Sequence, residues 1–369
     1  MYEDRKIRVA ITHGDTNGIG YEIIFKTFAR QGMLDLCTPI VYGSPKVATY
    51  HRNALGVPAN FTIINEAEEI KDGRINFVPV FDEEIKVELG KPTEISGNAG
   101  LIAIDRALED FNKGVFDVLV TAPIDNNEEF HFSGQSRYIE DHLELEGQGI
   151  NMLLNEHLRI ALATRNLPLK QVAEIITAEK ITDSATRLYN SICRDFRISN
   201  PRVAILALNP KAGANGLLGS EERDIIAPAI ETLEKNNIQC FGPYAADEFF
   251  GASDWEHFDA TLAMYYDQGL TPFRTLTVEA GVNYLAGLPL VCTAPDMSTG
   301  FDIAGKGIAD DMSFRHAIYS AIDIYRNRME YNEPMAAPLP KLFKEKRDET
   351  DKVRFTVPKH RNEPIRESE

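Results

Sequence analysis

Little in this chain of 369 residues suits a secreted, membrane-spanning or nucleic-acid-binding protein. Its four cysteines, Cys37, Cys193, Cys240 and Cys292, lie far apart and form no CxxC pair. That spacing speaks against a disulfide framework or a zinc knuckle and for reduced thiols. No apolar run approaches the roughly eighteen residues that a membrane helix needs. The N-terminus, MYEDRKIRVAIT, enters its first apolar run without a signal-peptide pattern, and a cytoplasmic location is expected. Basic charge is scarce: the formal net charge of -17 argues against nucleic-acid or anionic-membrane partners, which need a cationic footprint. Internal repeats and low-complexity linkers are absent as well.

What is present is an alternation of short apolar runs and amphipathic stretches. Runs at Ile7 to Thr12, Pro39 to Tyr42, Ile75 to Val80, Val115 to Thr121, Arg159 to Thr164, Val203 to Leu208, Ala260 to Tyr265 and Leu288 to Cys292 read as strands. Between them, Asn98 to Asn112 carries Ile102, Ala103, Ile104, Ala107, Leu108 and Phe111 at helical spacing, and Met312 to Tyr331 reads as the last packed helix. The alternation predicts α/β architecture with parallel sheets covered by helices on both faces. The length is too great for one ordinary core, and two domains are expected. We place them at 1–130 plus 285–336 and at 131–284. A polar tail follows at 337–369, where from Lys341 onward nine Lys or Arg stand against seven Asp or Glu.

The chain is organised around VAILALNPKAGANGLLGSEERD, Val203 to Asp224. Six apolar residues predict a strand buried on both faces, and Gly213, Gly216 and Gly219 punctuate a loop before a helix that opens at Ser220, Glu221 and Glu222. In an open α/β sheet such a loop lies where ligands bind, so Asn209, Lys211 and Asn215 are candidates to face one. The alternative is that the glycines only turn the chain while the two glutamates satisfy the helix N-terminus. HGDTNGIG, His13 to Gly20, repeats the strand, glycine turn and helix order. His13 is placed either in the cleft or in a turn-stabilising hydrogen bond.

These stretches, with VTAPID at Val120 to Asp125, GPYAAD at Gly242 to Asp247, LAMYYDQGLTPFRTL at Leu262 to Leu276 and DIAGKGIA at Asp302 to Ala309, resemble the 4-hydroxythreonine-4-phosphate dehydrogenase family of pyridoxal phosphate biosynthesis. The resemblance covers roughly residues 7 to 327. It implies a fold similar to isocitrate and isopropylmalate dehydrogenases, with two α/β/α domains and a cleft between them, and a homodimer whose sites draw on both subunits. It also implies oxidation of the secondary alcohol of 4-phosphohydroxy-threonine by NAD, followed by decarboxylation. A divalent metal on three histidines is expected of the family, acting as a Lewis acid.

The family's metal positions here are Asn166, Lys211 and Tyr266. An amide, an ammonium and a phenol are a poor set for a divalent cation, and a charged Lys211 repels one, so no bound metal is expected. Lys211 is expected instead to occupy the cation's place and hold an anion or alkoxide, with Tyr266 and Asp267 completing the catalytic candidates. His131 and His142 flank a helix start without a third histidine nearby, and surface or capping roles are expected for both. The substrate positions implied by the resemblance are Gln135 and Ser136, followed by Arg137 where an acidic residue is usual. Arg274 stands for a lysine, Asn283 is retained, and Cys292 stands for an anion-binding arginine; as a side chain it reads as a small buried apolar group. The cofactor loop is Met297, Ser298, Thr299, Asp302 and Gly305, with Met297 and Ser298 replacing the family's histidine and glycine.

Two readings stay open. One is a divergent NAD-dependent dehydrogenase; the other is a non-catalytic or repurposed relative that binds a small phosphorylated or anionic metabolite in the cleft.

Overall fold

A computed structural model describes residues 5–57, 59–81, 85–125, 132, 134–277 and 280–336. His131 and the tail from 337 lie outside the described residues. Among those described, one twelve-stranded sheet runs in the order β3-β4-β2-β1-β5-β12-β11-β6-β7-β10-β8-β9. The strands are β1 Arg8–Thr12, β2 Thr38–Gly43, β3 Phe61–Ile63, β4 Ile75–Pro79, β5 Val118–Thr121, β6 Ile150–Leu154, β7 Arg159–Leu162, β8 Val203–Leu206, β9 Cys240–Tyr244, β10 Ala260–Ala263, β11 Val282–Ala286 and β12 Val291–Pro295. The helices are α1 Gly20–Phe28, α2 Gln31–Leu36, α3 Pro45–Leu55, α4 Glu94–Asn112, α5 Gln135–His142, α6 Leu169–Ile175, α7 Ala178–Asp195, α8 Ala227–Lys235, α9 Ala246–Gly251, α10 Tyr266–Leu276 and α11 Met312–Ala336.

Strands β1 to β5 with β12 form one half of the sheet and β6 to β11 the other, so β11 crosses residue 284. The expected parallel pairing holds on each side of the junction between the halves, and the junction itself is antiparallel. There β11 is antiparallel to both β12 and β6, and β6 is antiparallel to β7. The two parallel halves consequently run in opposite senses. For the β6–β7 pair the cause is local: the strands are joined by a tight turn in which the Asn155 side chain accepts from the backbone N–H groups of His157 and Leu158 at 2.9 and 2.7 Å. A turn this short joins only antiparallel strands, because a parallel pair needs a crossover of about a dozen residues.

Burial follows the apolar runs. All of β8 is buried, as an apolar strand with covered faces requires. Helix α1 buries Ile23, Ile24, Phe25 and Phe28. Helix α4 starts earlier than its apolar periodicity suggests, because Thr93 and Ser96 close a reciprocal capping box ahead of it. It buries Ala103, Ile104, Ala107 and Leu108 but leaves Ile102 exposed, so the expected apolar face is narrower by that residue.

A buried ionic network ties α7, β11 and α11 together. Asp195 accepts from Arg328 Nε at 2.7 Å, Arg194 Nε at 2.8 Å, Ser191 Oγ at 2.5 Å and the Tyr284 hydroxyl at 2.6 Å. Arg328 donates further to the Tyr284 hydroxyl at 2.7 Å and to the carbonyls of Leu288 and Pro289 at 2.9 Å. Both charges are thus fully hydrogen-bonded, the condition under which a buried pair is tolerated.

Candidate active site

Two glycine-rich segments interlock at one wall of the site. A Cβ on Gly20 would lie 1.8 Å from the His13 carbonyl, and one on Gly18 would lie 2.7 Å from Thr299, so neither position accepts a side chain. Thr299 is buried; its carbonyl accepts the Ile19 N–H at 3.0 Å and its hydroxyl donates to Asp125. The cofactor-loop segment 297–305 is therefore held against the 13–20 turn, with Ser298 and Asp302 exposed and Gly305 packed on Leu89. His13 is fully buried and lies flat on Tyr21, with ring centroids 5.0 Å apart, and burial pushes its imidazole down to about 3. It is a neutral core ring rather than a cleft residue.

Burial also pushes the Asp15 carboxyl up to about 6, against hydrogen bonds from the Asn17 N–H at 2.8 Å and Ser96 Oγ at 3.1 Å, with the Asp125 charge adding to the rise. A carboxyl whose folded value is raised favours folding in its protonated form. Its contribution is complete below the ordinary aspartate range and is lost as pH rises through about 6. Asp15→Asn is expected to remove that component, on the order of 3 kcal/mol. In urea titrations from pH 4 to pH 7, wild type should lose stability relative to the variant; parallel curves would contradict the assignment.

Between the sheet halves lies a cavity of about 260 Å³. Gln135, Ser136, Asn166, Tyr266, Asn283, Cys292 and Met297, seven of the sequence candidates, line it together. Gln135 is fixed by a 2.8 Å bond from Nε2 to the Ala122 carbonyl. Cys292 is a buried thiol that burial pushes up to about 12, so it is not a thiolate at neutral pH. Tyr266, at the start of α10, is 40% exposed. The turn that carries it is tied down by Gln268, whose Oε1 accepts the Met264 N–H at 2.7 Å and whose Nε2 donates to the Ala207 carbonyl at 2.6 Å.

Arg274 is not among the residues lining this cavity. Its guanidinium grips Asp296 with two bonds of 2.9 and 2.8 Å, and Asn283 Nδ2 meets the same carboxylate at 3.3 Å. Asp296 joins two candidates that the sequence listed separately, and no local pattern marks it.

Lys211 stands outside this cavity, exposed on the loop after β8. Lys211, Ala212, Gly213, Ala214 and Asn215 all have φ between 45° and 72°, a left-handed turn that costs roughly 1–2 kcal/mol for each residue with a Cβ. A brace holds it. Glu222 Oε1 accepts the N–H groups of Leu208 and Asn209 at 2.9 and 2.7 Å, while Asn209 Nδ2 donates to Glu221 and Glu222 at 2.7 and 3.1 Å. The glutamates thus bind the loop rather than simply satisfying the helix N-terminus. Asn209 is occupied by them, and a wide π-type turn at Glu222–Ile226 precedes α8.

The family profile described as "PdxA: Pyridoxal phosphate biosynthetic protein PdxA" matches residues 35–321. The chain belongs to the PdxA family. A Bacteroides thetaiotaomicron protein named 4-hydroxythreonine-4-phosphate dehydrogenase is 49% identical over 357 residues, 96% of this chain and 98% of the relative. An Oceanobacillus iheyensis protein named putative D-threonate 4-phosphate dehydrogenase is 34% identical, covering 87% of this chain and 98% of the relative. Among solved structures, the 4-hydroxythreonine-4-phosphate dehydrogenase of Klebsiella pneumoniae superposes with a TM-score of 0.74 at 27% identity, over 88% of this chain and 99% of that one.

The side chains at the three family positions do not suit a divalent metal. Asn166 and Tyr266 line the cleft and Lys211 lies outside it, which offers an amide, a phenol and a cation. Among the described residues no group of three or more His, Cys, Asp or Glu is arranged to hold an ion. His142 instead pairs with Asp105 at 3.2 Å on the surface. No helix among the described residues is long and apolar enough to cross a membrane.

Proposed function

We propose that the chain is an NAD-dependent 4-hydroxythreonine-4-phosphate dehydrogenase whose chemistry does not run through a metal on the three family positions. The observation that carries this reading is 49% identity to a relative of that name across 96% of the chain. A repurposed, non-catalytic cleft is the less favoured reading at that identity. NAD supplies the hydride acceptor for the substrate's secondary alcohol; Met297, at the cleft, and the exposed Ser298 and Asp302 are the residues that would hold it.

The rest falls to side chains. Tyr266 is assigned the alcohol proton, because it brings a phenol into the cleft beside the uncapped start of α5. Gln135 and Ser136, in the first turn of that helix, meet a substrate anion with helix-terminal N–H groups. Arg274, oriented by Asp296, adds a fixed positive charge. Asp267 follows Tyr266 at the exposed start of α10; neither it nor Lys211 lines the cleft cavity, and both stand as alternates to Tyr266. The reading carries a homodimer with it, and Leu217 and Leu169, 83% and 69% exposed, are apolar side chains such a contact would cover.

The test is NADH formation from 4-phosphohydroxy-threonine before and after exhaustive dialysis against a chelator. Turnover that survives dialysis is expected, together with no stoichiometric zinc, manganese, cobalt or nickel by elemental mass spectrometry. Absence of turnover in folded protein would shift the assignment to the binding reading. Turnover abolished by the chelator and restored by metal would show a ligand set beyond Asn166, Lys211 and Tyr266.

A further inference from the structure

A second cavity, of about 360 Å³, adjoins the cleft and shares Gln135, Ser136, Asn151 and Asn166 with it. Residues of α5 and α7 line it, and none of the cofactor-loop segment 297–305 does. Seven charged side chains line it, four cationic and three anionic. Arg165 is committed: its guanidinium meets the buried Glu140 at 2.6 and 2.7 Å and the Gly149 carbonyl at 2.5 Å. Arg187 is largely committed too, donating to Asp183 at 2.9 Å and to the Gly147 carbonyl at 2.6 Å.

The remaining two cations are different. Arg137 has only loose ion pairs, 3.8 Å to Asp141 and 3.8 Å to Glu146, both beyond hydrogen-bonding distance. Among the described residues no acceptor is bonded to its guanidinium or to the Lys180 ammonium. Removing the two matched pairs leaves Arg137 and Lys180 against Glu146, a net positive charge facing a half-open cavity, in a chain whose net charge is -17. A guanidinium with all its donors unused, beside an ammonium, fits an oxyanion, which a fork of N–H groups and a point charge hold together.

We infer that this cavity is an oxyanion subsite, in which Arg137 and Lys180 bind the phosphate or carboxylate of a small metabolite. The anionic group has two sources. It belongs to a separate metabolite, or it is the far end of a substrate whose reacting carbon lies in the adjoining cleft. The subsite itself does not depend on the dehydrogenase reading; only the second source does.

Isothermal titration of the full chain with inorganic phosphate tests it without turnover. An Arg274→Gln background removes the other guanidinium assigned to a substrate anion, the one that Asp296 holds outside the cleft cavity. In that background, Arg137→Gln with Lys180→Gln is expected to weaken phosphate binding at least tenfold, while Arg137→Lys with Lys180→Arg stays within about threefold. Arg137 is 61% exposed, so these changes leave the core untouched, and circular dichroism checks the fold. Phosphate binding that is absent in the Arg274→Gln protein, or equal in the glutamine pair, overturns the subsite. The source is then read on an otherwise wild-type chain. A rise in KM for 4-phosphohydroxy-threonine at constant kcat identifies the substrate's own anion, and an unchanged KM identifies a separate metabolite.

Discussion

Asp195→Ala is expected to lower the unfolding free energy by about 3–5 kcal/mol, the cost of leaving a buried charge without its partner. Asp195 is fully buried and Arg328 nearly so. Burial alone would raise the Asp195 carboxyl, yet Arg328 and Arg194 outweigh it and hold the group below the usual carboxylate range. A depressed carboxyl contributes stability that is present above the unfolded value and lost as pH falls through the folded one, so acid should erode the network last. Removing the carboxylate strands the Arg328 guanidinium and leaves the Tyr284 hydroxyl and Ser191 short of an acceptor. Urea denaturation of Asp195→Ala, Arg328→Met and the pair gives the coupling directly. The pair should cost much less than the sum of the singles, because an apolar replacement of both charges removes the stranded one. A loss below about 1 kcal/mol in both singles would contradict a structural role.

Tyr266→Phe carries the largest expected effect on activity. Its hydroxyl makes no hydrogen bond among the described residues, and the side chain is 40% exposed at the cavity edge, so the fold does not depend on it. If the phenol moves the alcohol proton, kcat falls by roughly 10²–10⁴ while the urea midpoint holds and KM changes little. A kcat within threefold of wild type would remove Tyr266 from the chemistry. Lys211→Met and Asp267→Asn then compete for the role in the same assay. The two predictions separate cleanly: one residue is buried and serves the frame, the other is solvent-facing and serves the reaction.

Local pattern was enough for much of the frame. The run that became β8 is uniformly apolar and those that became β1, β2 and β4 are mostly so, with Arg8 and Asn76 as polar interruptions, and burial on both faces of a sheet leaves that mark on consecutive residues. HGDTNGIG was legible as a glycine turn between strand and helix, while the close approach of Gly18 to Thr299 was not. Motif order likewise pointed to the PdxA family and to seven side chains that share one cavity.

Tertiary structure decided the partners. Arg274 meets Asp296 across 22 residues of chain, Thr299 meets Asp125 across 174, and Arg328 meets Asp195 across 133. No periodicity encodes such pairs, since each depends on the sheet order that brings β12 beside β5 and β11 beside β6. The antiparallel junction escaped the sequence for a related reason: a buried strand looks alike in either direction, and only its turn and its neighbours set the sense. By itself the sequence determined which residues are core and which motifs are kept, because burial and backbone closeness act on each residue where it stands. Which charges are hydrogen-bonded, and which two cations beside the cleft are not, was decided only by the fold, because electrostatic partnership is a property of distance in space.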